Sequence, residues 1–386
     1  FTREARLFLA GSACMGASFT VPFTLLAIYL DLLGLDKAAV GAVVSGAPWG
    51  QLLAALPAAW FIARLPAQRV LTGSAILSGI GYAVLPWMGS VAGLLAVNVL
   101  CGFVWSVHYI AGAPFLYRHG TAEQRPLLFS LYEALRTLAS VGGALGAGWA
   151  AAWLSAELGD DVRGHALALS LSGVLPVSAC IFYGRIADRP LPGRRQAPFF
   201  ARIVEHRGLI ARFAGPQLLI AVGSGMTIPF MSLYFTERFD FTTDGVGVLF
   251  AGGQVLMSLG FLATPWILAR LGYVRGVTAT QFASVPFFLV LAFAASPGVA
   301  VVAFLLRTAL MNSAHPLMKG FLMETAPEDL REVQNAVLML LWGLGWVVGP
   351  VVGGALLDHV GGEYAWVMGC TVALYLVGTS ATYASL

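Results

Sequence analysis

Apolar residues run along this chain in long unbroken stretches, and the charged and Pro/Gly-rich positions fall between them at near-regular intervals. Cutting at those breaks leaves twelve segments, approximately 7–30, 39–62, 70–89, 91–117, 127–154, 164–184, 213–236, 245–269, 276–296, 298–320, 333–357 and 364–384. A bilayer core takes about 20 apolar residues of helix, so each segment is long enough to cross it. The runs are rich in Ala, Leu and Gly and lack period-two alternation, which excludes the strands of an outer-membrane barrel. The pattern predicts an all-α integral membrane protein of twelve transmembrane helices.

Composition agrees. Of 386 residues, 58% are hydrophobic and 11% charged, with mean hydropathy +0.81, so a water-soluble fold would have nowhere to put its apolar surface. Aromatic residues at 12% and 45 glycines suit interfacial belts and close helix crossings. A formal net charge of +3 is too small to indicate nucleic acid. Cys14, Cys101, Cys180 and Cys370 stand singly in apolar segments, without metal-ligand or CxxC spacing, and read as small buried hydrophobes. There is no P-loop, HExxH or GxSxG, and the loops are too short for an added catalytic domain. The expected protein is therefore not an enzyme, uses no cofactor and holds no metal. Phe1 to Arg6 lead straight into the first segment, which would act as its own insertion signal.

Basic residues set the orientation, because they are retained on the cytoplasmic side. With the N-terminus inside, the inner loops hold Arg3, Arg6, Arg64, Arg69, Arg118, Arg125, Arg270, Arg275, Lys319, Arg331 and the arginines of 185–212; the outer loops hold Lys37, Arg163 and Arg238. Both termini are then cytoplasmic, in a plasma (inner) membrane. The stretch 185–212 is long, Arg-rich and carries Pro190, Pro192 and Pro198, which predicts a cytoplasmic linker between halves 1–184 and 213–386, with a short amphipathic helix near 203–210.

The halves repeat each other. Trp60, Ala63-Arg64-Leu65 and Arg69 recur 206 residues on as Trp266, Ala269-Arg270-Leu271 and Arg275; Phe115-Leu116, Arg125, Gly143 and Gly148 recur as Phe321-Leu322, Arg331, Gly349 and Gly354. Thr20-Val21-Pro22-Phe23 answers Thr227-Ile228-Pro229-Phe230 at an offset of 207. A near-constant shift along most of the chain implies two six-helix, pseudo-symmetric halves, the architecture of a transporter with its site between parallel repeats.

These features resemble the major facilitator superfamily over essentially the full length. The family's signature between helices 2 and 3, and again between 8 and 9, is a Gly, an Asp four residues later and basic residues around a second Gly. Here the corresponding segments are 59–69 and 265–275: Arg64, Arg69, Arg270 and Arg275 keep the basic positions, while Ala63 and Ala269 stand where the family has Asp. The resemblance implies a cytoplasmic gating role for these arginines, without the Asp latch. Gly345, Gly349-Pro350 and Gly353-Gly354 spell GxxxGPxxGG on the eleventh segment, similar to a proton-antiporter signature that the family carries on helix 5. Glycines at that spacing make a flat face, and Pro350 permits bending, so both close packing and gating are open readings for Gly349 and Pro350.

Charge inside the membrane needs a reason, because it costs several kcal/mol or more. Glu133 and Arg136 are three residues apart on the fifth segment, on one helical face, with Arg136 about 14 Å from the cytoplasmic end. Arg307 on the tenth segment lies at similar depth. Neither arginine repeats: Arg136 aligns with Trp342 and Arg307 with Cys101. The resemblance implies that helices 1, 4, 7 and 10 line a central cavity, which makes Trp105, His108, Tyr109, Asn312 and His315, together with Trp342, candidate substrate contacts beside the two arginines. For either His, a packing role is equally open. Glu133 is the candidate proton-coupling carboxylate, with Asp31 at the outer end of the first helix as a second; a substrate competing for Arg136 would release a proton and couple the two fluxes. The leading functional reading is a monomeric secondary transporter, in contact with membrane lipid, that exports a small organic or amphipathic solute by alternating access coupled to protons. The alternatives are an organic-anion importer or exchanger and a lipid-translocating or receptor-like membrane protein.

Overall fold

A computed structural model describes residues 1–121, 124–187, 207–325 and 331–385. The described residues are helical throughout, with no strand among them. In chain order the helices are α1 (Arg3–Leu32), α2 (Lys37–Val44 continuing as Gly46–Arg64), α3 (Ala67–Val84), α4 (Val91–His119), α5 (Arg125–Leu158) and α6 (Asp161–Tyr183). Then come α7 (Arg207–Thr227, running through a short 3-10 turn into Met231–Phe239), α8 (243–271), α9 (273–293), α10 (Pro297–Thr325), α11 (Arg331–His359) and α12 (Tyr364–Ser385). Among the described residues nine continuous helices are long and apolar enough to cross a membrane. The longest, Thr243–Phe293, is two spans, and α2 and α5 bring the number to the expected twelve. Most of the expected linker, 188–206, lies outside the described residues.

Each break has a local cause. Gly272, at φ +72°, takes the left-handed conformation that lets the chain leave α8 and re-enter as α9. Its repeat counterpart 206 residues earlier is Pro66, which caps the start of α3 and cannot continue α2 as a helix. Asp36 and Asp160 cap α2 and α6 by accepting hydrogen bonds from the Ala39 and Arg163 amides. Large apolar side chains stand open on the helix surfaces, Leu262 at 77% and Phe293 at 72% exposed, as lipid-facing positions should.

The chain forms two compact units, 1–194 with 235–254, and 195–234 with 255–386. In the first, α1 packs chiefly on α5 and α2 on α4, around a core that includes Phe8, Met15, Leu71, Phe115, Tyr132 and Tyr183. The ends of α7 and α8 nearest their connecting turn belong to this unit. In the second, α7 packs chiefly on α11 and α12. The repeat is visible in the contacts as well as in the sequence. Tyr29 donates to the Pro86 carbonyl in the first unit and Tyr234 donates to the Leu291 carbonyl in the second, each tying the first helix of its half to the end of the third.

Glycine sets how closely these pairs approach. A Cβ on Gly143 of α5 would lie 2.1 Å from the Ala17 carbonyl of α1, and one on Gly349 of α11 would lie 2.5 Å from Cα of Gly225 on α7. Gly345 and Gly353 meet Ala221 and Met226 in the same way, and Pro350 lies against the same stretch of α7. The GxxxGPxxGG face is thus a backbone-to-backbone seat for α7, which accounts for its glycines by packing. Gly146 of α5, by contrast, has nothing within 4 Å of its Cβ direction. Replacing Gly349 with Leu should destabilise the detergent-solubilised protein by about 1–3 kcal/mol or prevent its recovery, whereas Gly146→Leu should leave the thermal midpoint close to that of the parent; equal midpoints for the two variants would contradict this account.

Candidate substrate site

In the first unit, α1, α4 and α5 bring together a charged pair and an aromatic wall. The Arg136 guanidinium donates from both Nε (3.1 Å) and Nη2 (2.8 Å) to one Glu133 oxygen, which the i,i+3 spacing on α5 allows. The pair is only partly covered, with side-chain exposures of 28% for Arg136 and 48% for Glu133. Helix α1 can come this near because position 16 is glycine: a Cβ there would meet Arg136 Cγ and its carbonyl oxygen, both at 2.8 Å. Beside the pair, Phe19 stacks on Trp105 (4.4 Å between centroids) and Trp105 stacks on Tyr109 (5.3 Å, 8° between planes). The guanidinium lies 6.0 Å from the Tyr109 ring centroid, and Tyr132 continues the wall. A half-open cation–carboxylate pair flanked by flat rings can receive a planar group and a charged one together.

His108, one helical turn from Trp105, is elsewhere. It is 3% exposed, its Nε2 is 2.6 Å from the Tyr183 hydroxyl, and its ring stacks on Phe8, while Tyr183 also pairs with Ser12. Of the two readings left open for His108, this geometry favours packing: a hydrogen bond in the core between α1, α4 and α6, because α4 turns this face inward.

Arg307 is the centre of a different arrangement in the second unit. It is 4% exposed, donates from Nη2 to the Tyr375 hydroxyl, and lies over the Phe288 ring at 4.8 Å and the Tyr375 ring at 5.7 Å. Tyr375 in turn meets the Ser224 hydroxyl of α7 at 2.7 Å. No carboxylate pairs with Arg307 among the described residues, and its Nε has no partner. A guanidinium buried without a counter-charge is expensive, and here a phenol and two aromatic faces are what offset the cost. His315 packs edge-on against Trp342 at 4.8 Å, and Asn312 returns its side-chain amide to the Thr308 carbonyl one turn back. Asp31 lies far along α1 from Arg136, at the opposite end from the N-terminus, where it pairs with Lys37.

Of the expected gating residues, Arg64, Arg69, Arg270 and Arg275 are exposed at helix ends, and Arg270 covers the Trp266 ring at 4.2 Å. The neighbouring Gln68 amide donates to the Gly184 carbonyl at 2.6 Å, tying the α2–α3 turn to the end of α6. Phe19, Tyr132, Tyr375 and Phe288 escaped the sequence reading. Aromatic residues are common in every span, and only the fold shows which of them meet an arginine.

The family model of the Major Facilitator Superfamily matches residues 7–159 and 216–383. No curated protein matches the chain in sequence. Among solved structures, a mutant of the nucleoside transporter NupG superposes with a TM-score of 0.84 at 15% identity, covering 100% of both chains. A bacterial homologue of the human lysosomal transporter Spinster, inward-facing and unoccupied, gives 0.83 at 13% identity over 99% of this chain and 96% of that one. A D-xylose–proton symporter gives 0.73 at 15% identity, with 98% and 96% covered. At these identities the structures carry the fold, and the family match carries the class: the chain belongs to the Major Facilitator Superfamily, a multi-pass secondary transporter and not an enzyme.

Proposed function

We propose that this transporter carries a small organic anion with a planar apolar part, and that Glu133 takes up a proton as the anion engages Arg136. The observation that carries the reading is the half-open Glu133–Arg136 pair set against the stacked Phe19, Trp105 and Tyr109 rings. Two membrane-embedded arginines against one embedded carboxylate leave positive charge for a substrate to neutralise, and Arg307 has no acid partner among the described residues. A carboxylate or phosphate can take the two-pronged bond that Arg136 now makes to Glu133. Glu133, left without its counter-charge, is the group that takes the proton in this scheme. Anion and proton travel together under this scheme, which reverses the sign of the proton release expected from the sequence alone.

One of the two supports for proton-driven export of an amphipathic compound, beside the wealth of aromatic and apolar side chains, was the GxxxGPxxGG face, and the packing of α7 on α11 accounts for that face. The anion reading therefore ranks first. A monomer in the plasma membrane, with both termini cytoplasmic, completes the proposal. The solved relatives named for nucleosides and for xylose with a proton set no limit on the substrate here, since they share the fold at low identity.

Proteoliposomes holding a trapped pH indicator, offered aromatic carboxylates, organic cations and neutral nucleosides in turn, test this directly. Only the carboxylates should acidify the lumen as they enter; acidification by cations alone, or none with any class, would contradict the proposal. Arg136→Lys should weaken carboxylate binding roughly tenfold or more, because an ammonium cannot make the two-pronged bond. Glu133→Gln should keep binding and lose the accompanying proton. If the pair only packs helices, both variants would lower the melting temperature with unchanged affinity and pH dependence. For the second arginine, Tyr375→Phe removes the one hydrogen-bond acceptor of a buried guanidinium and should cost about 1–3 kcal/mol of stability, against a smaller loss for Ser224→Ala.

A further inference from the structure

Asp31 and Glu237 each lie in the last turn of the first helix of their half. They converge on a single cation. Lys37, the first residue of α2, donates to both carboxylates, and its side chain is 14% exposed against 35% for Asp31 and 33% for Glu237. Burial alone would lower the Lys37 pKa, but the hydrogen bonds and charges of the two acids outweigh it and hold the pKa above the ordinary lysine value. Two acids, one at the end of the first helix of each half, therefore share one base. At the start of α8, Thr243 meets His165 of α6 at 2.9 Å.

We infer that Lys37 is a gating residue, a clasp that holds the α7 end to the α1–α2 turn and must release Glu237 each time the transporter opens at this end. Several features of the same unit support it. The segment 235–254 clusters with the first six helices rather than with the rest of α7 and α8. Its attachments to the helices of this unit include the Gly148–Gly247 crossing of α5 and α8, the His165–Thr243 bond and an edge-on contact of Phe23 with Phe250 at 5.5 Å. Charge also favours reversibility. Asp31 lies six residues from Lys37 and stays with it, so the pair is neutral when Glu237 leaves and no half-buried lysine is stranded. The Lys37–Glu237 bond spans 200 residues, and it is the member of the triad that a movement of α7 would break. By the orientation read from the basic loops, this end faces outward. The clasp depends on the chain being a moving transporter and not on the nature of the substrate.

The test uses the full-length chain with its four cysteines replaced by Ser and one reporter, Phe250→Cys, at a position 5% exposed behind the clasp. Labelling of the purified protein by a water-soluble maleimide reads how often this end opens. Lys37→Met and Glu237→Gln should each raise the labelling rate about fivefold or more, the range of an ordinary coupling free energy. The exchange Lys37→Glu with Glu237→Lys rebuilds a base between two acids and should return the rate toward that of the reporter protein. Unchanged rates in the single variants, or an exchange variant as fast as the singles, would overturn the proposal. A control reporter at Ala75→Cys, 0% exposed in the core of the same unit, should stay unlabelled throughout. If it is labelled too, Lys37 holds the fold rather than the gate, and the proposal falls.

Discussion

Hydrocarbon does not solvate charge, and the arrangement of this protein's interior follows from how each embedded arginine is compensated. Arg136 is compensated by a carboxylate on its own helix, the partner that the proposal has a substrate anion replace. Arg307 is compensated by a phenol and by ring faces, which contribute polarisation without a full negative charge. The two solutions differ in consequence. Under the proposal, displacing Glu133 leaves a carboxylate to take up the proton, whereas Arg307 has no carboxylate to displace among the described residues. Lys37, at a helix end, follows a third pattern in which two acids share one base and one of them can depart without leaving net charge behind.

The two halves repeat in their scaffold and diverge in their chemistry. Gly143 and Gly349 perform the same task on α1 and α7, and Tyr29 and Tyr234 make the same tie to a helix end. Such residues set distances between backbones, and a duplicated backbone asks for them twice. Arg136 and Arg307 have no charged counterparts at 206 residues' distance, where Trp342 and Cys101 stand.

The sequence was most legible where physics acts on long runs. Twelve spans followed from apolar length alone, and their boundaries lie within several residues of the helices, because a bilayer imposes one thickness on every span. The Glu133–Arg136 pair was legible because i,i+3 spacing is local. His108 was open to either a substrate or a packing role, and its bond to Tyr183 and stack on Phe8 favour packing, because rotation about a helix axis is fixed by tertiary packing. Gly349 and Pro350 gave two readings until the position of α7 showed what they touch. The convergence of Asp31 and Glu237 on Lys37 was not legible, because it joins residues 200 positions apart that only the fold brings together.

The central claim is that anion binding at Arg136 and proton binding at Glu133 are one event, and proton stoichiometry measures it most directly. Purified protein in weakly buffered detergent solution, titrated with a bound aromatic carboxylate while a pH indicator is followed, should take up close to one proton for each anion bound, and the uptake should vanish in Glu133→Gln while binding persists. Binding with no proton exchanged, or with a proton released, would contradict the account.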